Sequence, residues 1–70
     1  MPTVFRDGPY AFRFYSADHV EPPHVHVHHD RNGAKFWLEP VRLANNWGFP
    51  SHELRSIRGA VEAWNDYFGA

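Results

Sequence analysis

Four of the six histidines in this chain fall within His24-Val25-His26-Val27-His28-His29, a segment introduced by Glu21-Pro22-Pro23 and followed by Asp30. Successive side chains of an extended strand point to opposite faces. His24, His26 and His28 therefore share one face, and Val25, Val27 and His29 the other. Imidazole changes charge close to neutral pH and also ligates metals, so this row allows two chemistries. In the first, a pair of imidazoles cleaves a phosphodiester. His24 and His26 act as acid and base on a ribose 2′-hydroxyl and the leaving oxygen, Glu39 orients one ring, and Arg13 and Lys35 hold the phosphate. Tyr15 and Trp37 contact bases, with His28 beside them. That route is ribonuclease-like and needs no metal, although the residues do not prove an enzyme. In the second, His-x-His sets two rings about 6.8 Å apart on one side of a strand. His24 and His26 could then converge on one ion, with Glu39 or His28 as a third ligand. The chain has no Cys and no His-Glu-x-x-His helix, so no metal is committed and no cofactor is expected. The plainest reading is a solvated outer face of a one-sided sheet, where polar residues must lie. A large aromatic such as Trp37 amid them favours a contact surface over an inert one. A non-enzymatic protein-binding or homodimerising module is therefore the leading alternative.

These side chains need strands to hold them. Thr3-Val4-Phe5-Arg6 reads as a short strand closed by the turn Asp7-Gly8-Pro9. Residues 10–15 alternate, with Tyr10, Phe12 and Phe14 on one face and Ala11, Arg13 and Tyr15 on the other. Pro22-Pro23 gives a stiff, extended lead into a strand over 24–30. Asn32-Gly33 is the favoured two-residue hairpin turn, which predicts a partner strand over 34–39. In that register Val27 faces Leu38 and His29 faces Phe36, while Asp30 meets Lys35, His28 meets Trp37 and His26 meets Glu39. A slip of one residue would mix the two faces. Pro40 ends this strand, and residues 41–50 read as an irregular link lying on the core, with Asn45-Asn46-Trp47-Gly48 as its turn. Ser51 is the expected N-cap of a helix over 52–68, with Glu53 in its first turn. Leu54, Ile57, Val61, Trp64 and Phe68 form its apolar stripe. Gly59, costly in a helix, suggests close approach to the sheet or a partner. His19 and His52 are expected at the surface. The fold class is α+β: one small domain, an antiparallel four-stranded meander with a C-terminal helix packed on one face.

Composition narrows the function classes. Seventy residues make one domain, and a chain this short buries only about 60% of its unfolded surface. Three Trp, three Tyr and six Phe must supply much of the core. Without Cys there is no disulfide framework and no thiolate metal site. The formal charge is −1, so no global basic field recruits nucleic acid. No signal-peptide pattern and no membrane span is evident, and the expected location is the cytoplasm.

Thr3-Val4-Phe5-Arg6, Glu21-Pro22-Pro23-His24-Val25-His26-Val27, Ala34-Lys35-Phe36-Trp37-Leu38-Glu39-Pro40-Val41, Glu53-Leu54 and Ala63-Trp64 together resemble the small bacterial proteins of domain-of-unknown-function family 4160. The helix is shorter than is usual there. The resemblance implies a toxin-like component of a two-protein toxin–antitoxin-type module. Its partner would be a small protein of domain-of-unknown-function family 2442, and RNA would be its target.

Overall fold

The computed structural model describes the backbone of residues 3–69 and the side chains of residues 4–67. Alternation dictates the first hairpin. Strand β1 (Thr3–Asp7) pairs antiparallel with β2 (Tyr10–Tyr15), Phe5 opposite Phe12 and Val4 opposite Arg13. Gly8 turns the chain at φ 59°, a left-handed value that glycine adopts without steric cost. Tyr10, Phe12 and Phe14 take the inner face and Ala11, Arg13 and Tyr15 the outer one, as the alternation requires.

Strand β3 (His24–His29) pairs with β2 on one side and β4 (Asn32–Leu38) on the other. The hairpin register differs from the one expected. Asp30 and Arg31 form the two-residue turn, Asp30 at φ 55°, and Asn32-Gly33 begins β4. Val25 lies opposite Phe36, Val27 opposite Ala34 and His24 opposite Trp37. Local turn preference loses to contacts remote in sequence. The Leu38 N–H donates to the Pro23 carbonyl at 3.1 Å, and the Lys35 ammonium reaches both carboxylate oxygens of Glu21 at 2.7 Å. The shift from the expected register is an even number of residues, so every side chain keeps its face and only its opposite neighbour changes.

A fifth strand, β5 (Val41–Trp47), replaces the expected link and completes a sheet in the order β1-β2-β3-β4-β5. Pro40 closes β4, as expected, but the chain turns back at once through Glu39–Pro40, whose peptide is cis. Leu38 then pairs with Val41 and Trp37 with Arg42. Pairing jumps from Phe36–Leu43 to Lys35–Asn45, leaving Ala44 as the extra residue of a bulge. The Asn46 side chain accepts from the Phe49 N–H at 3.0 Å and donates to the Phe49 carbonyl at 2.9 Å, closing the link to the helix. That link lies on the core at Phe49, which is buried, whereas Leu43 and Trp47 are exposed.

Helix α1 (Ser51–Gly69) crosses one face of the sheet. Ser51 is its first helical residue rather than its cap; the Pro50 carbonyl accepts from the Glu53 and Leu54 N–H groups at 3.1 and 3.0 Å. Ile57 and Val61 are fully buried against Phe12, Val25, Val27, Ala34 and Phe36, with Leu54 and Trp64 packed at the margin. Phe68, expected in the stripe, lies outside the described side chains. Gly59 approaches nothing: a Cβ there would meet no heavy atom within 4 Å. Side chains pin both ends of the helix. Trp64 donates to Asp7 at 2.9 Å and stacks obliquely on Phe5, and Asn65 donates to the Leu38 carbonyl at 3.2 Å. Tyr10 donates to Glu53 at 2.7 Å. The architecture is a small α+β domain with a five-stranded antiparallel sheet, one face covered and one bare. No helix among the described residues is long and apolar enough to cross a membrane.

Candidate functional site

The face opposite the helix carries the histidines, and the register arranges it in three rows across the strands. The first row is Tyr15, His24, Trp37 and Arg42; the second is Arg13, His26, Lys35 and Asn45; the third is Ala11, His28, Gly33 and Trp47. Directly opposed residues stand about 4.5–5.5 Å apart at Cβ, so each row brings its side chains close together across the strands. Val4 and Arg6 extend this face onto β1.

In the first row His24 is only 8% exposed, the one buried polar residue among those described. Tyr15 stacks on its ring at 4.9 Å and Trp37 meets it edge-on at 6.0 Å. Its Nδ1 lies 3.0 Å from the Pro22 carbonyl. A carbonyl can only accept, so Nδ1 carries the proton, and Nε2 is the nitrogen left to exchange one. The Pro22-Pro23 lead thereby orients the ring as well as stiffening the backbone.

His26 sits at the centre of the face, half-buried, 5.4 Å from the His24 ring and 6.3 Å from the His28 ring between centroids. Burial chiefly, then the neighbouring His24, Lys35 and His28, depresses its pKa below the ordinary 6.5. At neutral pH it is an uncharged imidazole, able to accept a proton. Lys35, opposite it, is committed elsewhere: its ammonium holds Glu21 at 2.7 Å and lies 4.5 Å from the centre of the Trp37 ring. The same bond holds the Glu21 carboxyl below its usual range. Arg13, on the other side of His26, has no acidic partner among the described residues.

Most of the residues expected at the site converge here: Arg13, Tyr15, His24, His26, His28, Lys35 and Trp37 share the bare face. Glu39 does not. It lies in the β4–β5 turn, exposed, beyond the end of the histidine row, and Lys35 takes the place opposite His26 that Glu39 was expected to fill. The orienting contact expected from Glu39 comes instead from the Pro22 carbonyl. His29 points to the helix side, where it meets Tyr10 edge-on at 5.5 Å and its Nδ1 stands 3.9 Å from Glu53. His19 and His52 are exposed. Among the described residues no group of three His, Cys, Asp or Glu is placed to hold a metal ion.

Strand β5 adds members to the face that the sequence did not announce, Arg42 and Trp47 among them. Arg42 stands beside Trp37, and Trp47 lies over Gly33 beside His28; a Cβ on Gly33 would be 3.5 Å from His28 Nδ1 and 3.6 Å from Trp47 Cε3. Residues 42 and 47 have opposite parity, so alternation alone puts them on opposite faces. The bulge at Ala44 brings them to the same one. The family model described as Domain of unknown function (DUF4160) matches residues 10–69. Compared with curated proteins and with solved structures, the chain matches none.

Proposed function

The chain belongs to this domain-of-unknown-function family, and since the membership carries no chemistry, we propose its function from the bare face: it acts on RNA there, as the toxin-like component of a two-protein module. The observation that carries this reading is the central row, where an imidazole kept neutral by its surroundings stands between Arg13 and Lys35, with aromatic rings on either side. His26 takes the proton of a ribose 2′-hydroxyl. The 2′-oxygen attacks the adjacent phosphorus, and the bond to the 5′-oxygen breaks. His24, protonated at Nε2 and backed by the Pro22 carbonyl, gives its proton to that leaving oxygen. Arg13 steadies the phosphoryl oxygens as charge builds on them. Lys35 serves this scheme indirectly, since its charge is held by Glu21. The products are a 2′,3′-cyclic phosphate and a free 5′-hydroxyl. No step calls on a metal.

The module reading supplies the partner: a small protein of domain-of-unknown-function family 2442, or a second copy of this chain, that covers the face and restrains it. Induced expression should arrest growth and leave cellular RNA with cyclic-phosphate ends, and His26→Ala should relieve both, by about 10²-fold or more in cleavage rate. Arrest undiminished in both His24→Ala and His26→Ala would remove the catalytic mechanism. Arrest that needs the face but leaves RNA intact would favour the non-enzymatic binding module.

A further inference from the structure

We infer that the bare face is a platform for single-stranded RNA about four nucleotides long, with Trp47 as its second base-stacking end; the inference rests on the RNA reading of this face and adds its substrate form and length. Three observations converge.

The first is the placement of the rings. Tyr15, His24 and Trp37 form an aromatic group at one end of the face. At the other end Trp47, 52% exposed, lies over Gly33 on the same face as His28. Gly33 and Trp37 are four positions apart on β4, which is about 13 Å. Stacked nucleotides rise about 3.4 Å each, so four are needed to reach from one aromatic end to the other, and two cannot.

The second is charge. The whole chain is formally −1, yet Arg6, Arg13, Lys35 and Arg42 all lie on the outer side of their strands, and no strand places an acid there. Strand-borne Asp7 faces the helix side, where Trp64 binds it. Two carboxylates of the β2–β3 connection approach the face near His24: Lys35 neutralises Glu21, and Asp18 is held by the Val20 and Glu21 N–H groups. Arg6 on β1 and Arg42 on β5 stand on the two edge strands and Arg13 on β2 beside His26, and a phosphate backbone would find its counter-charges there.

The third is shape. A duplex keeps its base faces stacked inside and presents only edges and phosphates. A sheet face with rings at its two ends offers base-sized π surfaces, which reward the open end faces of a single-stranded stack and not paired bases. Stacking on a ring is open to every base, so sequence preference should be weak.

The test is binding of end-labelled RNA to the full, tag-free chain, followed by anisotropy with RNAs resistant to cleavage (2′-O-methyl backbone, lengths two, four and eight, and an eight-base-pair duplex). Affinity should climb steeply from two to four nucleotides, rise little to eight, and be far weaker for the duplex. Trp47→Ala should weaken the four-mer by about five- to a hundredfold while leaving the two-mer unchanged. Trp47→Phe, which keeps a ring, should retain most of the affinity and shows that a loss in Trp47→Ala is not one of folding. If RNA binds but Trp47→Ala is silent, or the two-mer binds as tightly as the eight-mer, this platform is wrong and the RNA reading stands. If duplex and single strand bind alike, the stacking argument fails. If no RNA binds, the proposed function fails with it. Equal binding of a poly-aspartate peptide would show a face that takes any polyanion and would overturn the inference.

Discussion

His26 shows how a single residue carries both the proposed chemistry and a cost. Folding surrounds it with protein and with other basic groups, so its imidazole is harder to protonate than in the unfolded chain. The sign follows from proton counting. As pH falls through 6.5, the ordinary value, the unfolded chain takes up a proton that the folded chain refuses. Stability therefore declines from about pH 7.5 downwards and levels off once the folded His26 also protonates. Asp18 and Glu21 act in a separate window. Their carboxyls are depressed by hydrogen bonds, from the Glu21 and Val20 N–H groups and from Lys35 respectively, and their contribution is lost only below their ordinary values of 3.8 and 4.5. Thermal melts between pH 7.5 and 5.5 should thus fall for the natural chain and flatten in His26→Gln. A decline of equal steepness in both proteins would assign the effect to another group. The same depressed basicity makes His26 the base of the proposed pair and leaves the acid role to His24.

At the scale of the element, the helix and the hairpin show local preference yielding to packing in different degrees. In α1 the apolar stripe is decisive: Ile57 and Val61 face the sheet because three- and four-residue spacing leaves them no other direction. Gly59 contributes nothing to that interface, since a side chain there would meet open space. Gly59→Ala should therefore raise stability by about 1 kcal/mol, seen as a melting temperature about 4–8 °C higher. No gain, with the helix intact by circular dichroism, would mean that something covers this position in the assembled state. In the β3–β4 hairpin, Asn32-Gly33 has the composition of a turn but lies in a strand. Neither space nor a left-handed backbone demands glycine at Gly33, since a Cβ there would meet His28 and Trp47 at ordinary contact distances of 3.5 and 3.6 Å. At Gly48 the need is conformational as well as spatial, because φ is 100° and Asn32 Oδ1 occupies the place a Cβ would take.

The whole molecule stands on one layer of core between sheet and helix. Phe5, Phe12 and Phe14 stack in series, with ring centres 5.1 Å apart between Phe5 and Phe12 and 5.6 Å between Phe5 and Phe14. Phe12 itself is fully buried. A chain of this size has a total stability of only about 4–10 kcal/mol, and Phe→Ala in a core costs about 3–5 kcal/mol. Phe12→Ala should lower the unfolding free energy at 25 °C by about 3–5 kcal/mol in urea titration. A loss below about 1 kcal/mol would contradict the packing. Folding also decides the charge pattern. A chain close to neutral overall places Arg6, Arg13 and Arg42 on the bare face, with Asp7 and Glu53 on the helix side.

Much of this was determined by the sequence alone. Side chains alternate with a period of two, so the parity of His24, His26 and His28 placed them on one face whatever their partners, with Arg13, Tyr15, Lys35 and Trp37 on that face too. The helix, its stripe and the one-sided sheet followed from the same periodicities, and the pattern over most of the chain sufficed for the family. Tertiary structure decided what parity does not carry. The register rests on Leu38 to Pro23 and Lys35 to Glu21, contacts made across gaps of 15 and 14 residues that no local turn preference records. It put Lys35, and not Glu39, opposite His26. The fifth strand and its bulge at Ala44 moved Trp47 onto the histidine face, because one extra residue reverses parity. Periodicity thus chose the face, and long-range pairing chose which groups meet on it.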